Sequence, residues 1–418
     1  MGDEVWQVLL GEGMLATCLS IGELTRLARL NRSSRRLHDA AWRAIWRARS
    51  KACSGAELAH ILRLAITKGK VAHVRELVRP MAEQGDASVL MQAIDGEPSY
   101  LFLAVKQGSV EVVRALLEAG GRELLMLTRN NGASCLTVGA ENGHLEMVRA
   151  LLEAGGRELL MLTMDDGASC LYMSAQNGHL QVTNALLEAG GRELVMLTTD
   201  NGVSCLWISA QNGHLQVVIA LLEVGGRELL MLTTNDDAVS CLWISAEKGH
   251  VQVVNALLQA GGRELLMLTT ADGVSCLWIS AQEGHVQVVN ALLKAGGREL
   301  LMLTWADGCS CLWISAAQGH LQVVNALLQA GGRELMMLTT HDGCSCLYIS
   351  AENGHLQVVN ALLEAGGREL LMLTTDDGVS CFSAARWFRQ EEVVRVLEMA
   401  CQNFGLSSDE MDTVYIGP

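Results

Sequence analysis

Seven histidines recur behind a glycine: His144, His179, His214, His250, His285, His320 and His355, spaced 35, 35, 36, 35, 35 and 35 residues. Imidazoles in series suggest zinc, which needs its ligands gathered at ~2.0–2.3 Å around one ion. Rings one long repeat apart cannot share an ion. Each is expected instead to cap its own turn or to hydrogen-bond backbone. No metal and no cofactor is expected. Eight of the 13 cysteines keep the same phase: Cys135, Cys170, Cys205, Cys241, Cys276, Cys311, Cys346 and Cys381. Equivalent atoms in stacked helices lie ~8–10 Å apart, whereas a disulfide needs Cα atoms within ~7 Å. These thiols are expected to stay free, which suits a reducing compartment, cytoplasmic or nuclear.

Aromatic residues form a third series: Tyr172, Trp207, Trp243, Trp278, Trp313 and Tyr348. Two readings stand open. The rings pack between each short helix and the next loop, or they form an exposed stripe for an extended peptide. No nucleophile, base and orienting group stands apart from the repeat. Gly-Gly-Arg-Glu follows a helix, the wrong context for a phosphate loop. No catalytic residue and no enzyme activity is expected.

A fixed period of this length means one supersecondary unit stacked many times. In the unit Asn201–Asp236, Gly202-Val203-Ser204 leads into Cys205-Leu206-Trp207-Ile208-Ser209-Ala210-Gln211-Asn212. Ser204 is placed to N-cap this short helix, and Gly213 ends it. From His214 to Leu222 the apolar residues fall at helical spacing, giving a second, amphipathic helix that stops at Gly225-Gly226. The Arg227–Thr233 segment is rich in Leu and Met, better helix than strand formers. It is expected to form a short helical turn before an acidic tip at Asn235-Asp236-Asp237.

This pattern resembles the ankyrin repeat from about residue 55 to 400. The matching residues in one unit are Ser204-Cys205-Leu206-Trp207, Ser209-Ala210, Gly213-His214, Val217-Val218 and Leu221-Leu222. Two features depart from the family. Cys stands where the family has Pro at the first helical position, and the unit has 35 residues rather than 33. The expected fold is all-α, an ankyrin-type solenoid of about ten stacked helix-turn-helix units. A helical segment at 1–54 precedes it, and a disordered acidic tail at 401–418 follows. The end units are degenerate. Ala56–Met81 turns at Gly69, Tyr100–Ala119 turns at Gly108, and Arg389-Gln390-Glu391 replaces Gly-His-Leu.

The resemblance implies a non-catalytic scaffold whose protein partners contact loop tips and the exposed side of the first helix. The matching positions are Gln176, Gln211, Glu247, Lys248, Gln282, Glu283, Gln318 and Glu352, with Trp305 and His341 as the distinctive tip residues. The net charge is −15. Residues 23–51 carry eight Arg and one Lys against Glu23 and Asp39, a local +7, so the remainder holds −22. An acidic body repels nucleic acid and favours basic or extended protein partners; solubility is the other reading of the same charge. No apolar run is long enough to span a membrane, and the N-terminus lacks the basic start of a secretory signal.

Residues 5–50 do not fit the repeat. Leu24, Leu27 and Leu30, then Leu37, with a late Trp42, look similar to an F-box. That family's helices bind the adaptor subunit of cullin-type ubiquitin ligases, which makes Leu24, Leu27, Leu30 and Trp42 the implied adaptor contacts. The family's initial Leu-Pro is absent, with Asp3-Glu4-Val5 nearest to it. Two other readings remain: a helical cap for the solenoid, or a basic segment that binds nucleic acid or acidic lipid.

Overall fold

The computed structural model describes residues 55–84, 88–94 and 96–406. The F-box-like positions Leu24, Leu27, Leu30 and Trp42 lie outside them, as does the tail beyond Leu406. The described residues hold ten helix pairs and no strand. In chain order these are α1 (Gly55–Thr67), α2 (Val71–Gln84), α3 (Tyr100–Lys106), α4 (Val110–Leu125), α5 (Cys135–Glu141), α6 (Leu145–Leu160), α7 (Cys170–Gln176) and α8 (Leu180–Val195). There follow α9 (Cys205–Gln211), α10 (Leu215–Leu230), α11 (Cys241–Glu247), α12 (Val251–Leu266), α13 (Cys276–Gln282) and α14 (Val286–Leu301). The last six are α15 (Cys311–Ala317), α16 (Leu321–Met336), α17 (Cys346–Glu352), α18 (Leu356–Leu371), α19 (Cys381–Trp387) and α20 (Glu391–Asn403). The last helix runs three residues past the boundary expected at 400. Cys401 and Leu406 are buried, so the boundary expected at 400 falls inside packed structure.

The chain divides into two compact units. One comprises the residues up to Ser174 together with Gln181–Leu194; the other comprises Ala175–Leu180 together with Val195 onward. In the second unit each short helix packs on the next short helix and each long helix on the next long one. Leu206, Ile208 and Ala210 of α9 are buried with Val217, Val218 and Leu221 of α10. A fully buried Val, Leu or Ile contributes roughly 1.5–3 kcal/mol, and no single pair can bury this face alone. Stacking is therefore obligatory. In the first unit α1 to α6 pack in the same alternating order. Its first tip is held by Glu97, a buried carboxylate that accepts from Arg129 at 2.8 and 2.9 Å.

The long helices do not end at the Gly-Gly pair. The second glycine adopts a left-handed φ, +58° at Gly226, which breaks the axis, and one more helical turn follows through Leu230. This is the helical turn expected from the Leu and Met content. Strand-like pairing is confined to one isolated bridge per tip, Thr233 with Ser240 in this unit.

Candidate protein-interaction surface

The phased polar residues are couplings between units. Ser204 accepts from the Trp207 N–H at 3.1 Å and caps α9 as expected. The histidines do not cap their own helices. His250 Nε2 instead donates to the Gln211 carbonyl at 2.9 Å, His285 to Glu247 at 2.8 Å, and His320 to Gln282 at 2.8 Å. The glycine before each His closes the joint. Gly249 sits at φ +73°, and a Cβ there would lie 2.7 Å from the His285 ring. At the C-terminal end Gln390 takes the histidine's place and donates to Glu352 O at 2.9 Å. Arg389, in the glycine's place, keeps the left-handed backbone at φ +61°.

The cysteine that replaces proline also has a task. Each phased thiol donates to the carbonyl at the end of the preceding long helix: Cys241 to Leu230 O at 3.6 Å and Cys276 to Leu266 O at 3.6 Å. The thiols are buried and free. Burial pushes Cys241 and Cys276 up to about 12 from an ordinary 9.0. Such thiols are poor nucleophiles and poor metal ligands.

The aromatic row is packed, as the first of its two readings had it. Trp278 is 7% exposed; Trp207, Trp243 and Trp313 are half-buried. Their indole N–H groups are buried without hydrogen-bond partners, so the rings are held by packing.

The predicted contact positions fall into two sets. Gln176, Gln211, Glu247, Gln282 and Glu352 are half-buried, and their backbone carbonyls accept the cross-unit bonds from the next histidine or from Gln390. Lys248, Glu283 and Gln318 are exposed. Lys248 pairs with Glu247 at 2.9 Å, and Glu283 accepts from Gln282 at 3.1 Å. His341 is exposed and Trp305 half-buried at their tips.

Four pairs of adjacent tips in the second unit touch through backbone. Asn235 N–H donates to Asn201 O at 3.0 Å, Ala271 to Asp237 O at 2.9 Å, His341 to Asp307 O at 2.8 Å, and Asp376 to Asp342 O at 3.0 Å. In the second unit the tips carry Asp200, Asp236, Asp237, Asp272, Asp307, Asp342, Asp376 and Asp377, all exposed, with no Lys or Arg among them. The charges at the ends of the long helices cancel instead. Arg227 pairs with Glu264, Arg263 with Glu299, Arg298 with Glu334, and Arg333 with Glu369, the last at 2.8 Å through Nε. Sequence reasoning missed this ladder, although the invariant Gly-Gly-Arg-Glu spacing carries its signal. Among the described residues no group of three or more His, Cys, Asp or Glu side chains is placed to hold a metal. None of the described helices is long and apolar enough to cross a membrane.

The ankyrin-repeat family model matches residues 62–161 and 312–403, in three copies. No curated protein matches the chain. The units between the matched segments have the same helices, caps and cross-unit bonds. Residues 62–161 and 312–403 thus match ankyrin repeats, a module that indicates a protein–protein interaction scaffold.

Proposed function

We propose that the chain binds a basic, extended segment of another protein along the row of tips in its second unit. One observation carries this reading: eight exposed tip carboxylates with no basic side chain between them. The Arg–Glu ladder neutralises the helix ends, so the uncompensated charge concentrates at the tips. Backbone bonds join four pairs of adjacent tips in this unit, which holds those tips together. Repetition in the surface suits repetition in the partner. Of the sequence-predicted positions, Lys248, Glu283, Gln318, Trp305 and His341 are assigned to its flank; the half-buried Gln176, Gln211, Glu247, Gln282 and Glu352 mainly join units.

The test is the affinity of the full chain for a labelled arginine- and lysine-rich peptide at low and high salt. It is compared with a variant carrying Asp272→Asn, Asp307→Asn and Asp342→Asn. Salt-sensitive binding that weakens in the variant supports the proposal. Equal binding by both chains, or none by either, overturns it. The Leu24, Leu27, Leu30 and Trp42 spacing favours a second reading, a substrate receptor of a cullin-type ubiquitin ligase. Capture of the ligase adaptor by the full chain, and loss of that capture on removing residues 1–54, tests it; no capture removes it.

A further inference from the structure

We infer that Trp305, leaning on Trp278, is an arginine-side-chain subsite within the acidic tip row. The inference rests on the proposal above and names the place where one residue of the partner is gripped. Five tips of the second unit carry threonine at this position: Thr199, Thr234, Thr270, Thr340 and Thr375. Each threonine hydroxyl accepts a backbone N–H across its own turn, for example Val274 N–H on Thr270 at 3.0 Å and Cys344 N–H on Thr340 at 3.0 Å. Such local bonds stabilise a turn. Trp305 offers the Cys309 N–H no such acceptor, so this tip has given up a stabilising cap that its neighbours keep. The replacement serves something other than the turn.

What it gains is a fixed ring. The Trp305 and Trp278 centroids are 5.6 Å apart with planes tilted by 56°, a favourable aromatic pair. Trp278 is the most buried indole of its row, and Trp305 covers it. The Trp305 indole N–H is buried, yet the residue as a whole is half-buried. The part that meets solvent therefore excludes the polar edge of the indole. The preceding, own and following tips carry Asp272, Asp307 and Asp342, all exposed. The Asp307 carbonyl is itself bonded to the next tip at His341.

An indole held rigid in a row of acidic tips selects a cation with a flat, weakly hydrated face. Guanidinium meets both demands, since it stacks on indole and takes carboxylates in its fork. Ammonium meets only the charge. The ring needs no reordering on binding, because Trp278 already fixes it, and a pre-ordered aromatic anchor is the usual form of an interface hot spot.

The experiment uses fluorescence anisotropy of a labelled nona-arginine peptide with the full chain at physiological salt. Trp305→Thr restores the consensus tip and leaves the net charge unchanged; Trp305→Phe keeps a ring. We expect Trp305→Thr to weaken binding about tenfold, and Trp305→Phe to stay within about threefold of the parent. Nona-lysine should bind the parent more weakly than nona-arginine and should be nearly indifferent to Trp305→Thr. Equal nona-arginine affinity of the parent and Trp305→Thr would overturn the subsite while leaving the acidic row intact. No binding by the parent would overturn both.

Discussion

Raising the pH through 9 to 12 should loosen the stack, because the phased cysteines must stay protonated to remain buried. An unfolded thiol ionises from its ordinary value of 9.0, whereas burial holds Cys205, Cys241, Cys276, Cys311, Cys346 and Cys381 up to about 12. Below pH 9 both states keep the proton and these groups add no pH dependence. Between 9 and 12 the unfolded chain sheds protons that the native chain retains, so stability falls as pH rises. The slope is about 1.4 kcal/mol per pH unit for each thiol. At pH 10 the six phased thiols of the second unit together remove several kcal/mol, a large share of the stability of an ordinary domain. The assay is urea unfolding followed by circular dichroism at pH 7.5 and pH 10, on the parent and on Cys276→Ala. The variant loses some packing at both pH values, but its pH-driven drop should be smaller by about 1.4 kcal/mol. The ionisations that the two chains share cancel in the comparison. An identical drop in parent and variant would refute the reasoning. So would native thiols that all react with a disulfide reagent at pH 8 as fast as free cysteine.

The other predictions concern the joints. Gly249→Ala should cost roughly 1–3 kcal/mol from the left-handed backbone alone, and more from its close approach to His285, read as a lower urea midpoint. His285→Ala should destabilise, and His285→Gln should recover about 1 kcal/mol of that loss, because Gln390 already makes the same bond with an amide. Ala238→Gly and Arg389→Gly should each raise stability by about 1 kcal/mol, since both residues occupy left-handed backbone at φ +54° and +61° where the other units have glycine. A drop in melting temperature for either would contradict the strain argument.

The helix pairs, their turns and their caps were legible because the repeat prints the same instruction many times. Ser204 reads as an N-cap and Gly213 as a stop in any one unit, and repetition removes the ambiguity. The helical turn after Gly226 was legible too, from Leu and Met where the family has a hairpin. What sequence spacing could not give is direction across the stack. Nothing in the distance from His250 to Gln211 says that a ring reaches back to a carbonyl rather than to its own helix. The same holds for the Cys276 thiol and the Leu266 carbonyl, and for Arg298 and Glu334. These partners sit a whole repeat away, or across a turn, and only stacking brings them together. The contact positions at Gln211 and Glu247 were readable as surface by analogy, but their carbonyls turned out to be structural acceptors. Trp305 stood out in sequence as a tip aromatic; its pairing with Trp278 and the missing threonine cap needed coordinates.

Carboxylate footprinting tests the central claim most directly. The full chain is labelled with a carbodiimide and an amine, with and without a saturating arginine-rich peptide, and modification is read at each acid. Protection should concentrate on Asp236, Asp237, Asp272, Asp307 and Asp342, while Glu223 and Glu364 on the long helices label equally in both states. Protection of the long-helix acids with the tips unchanged would contradict the account.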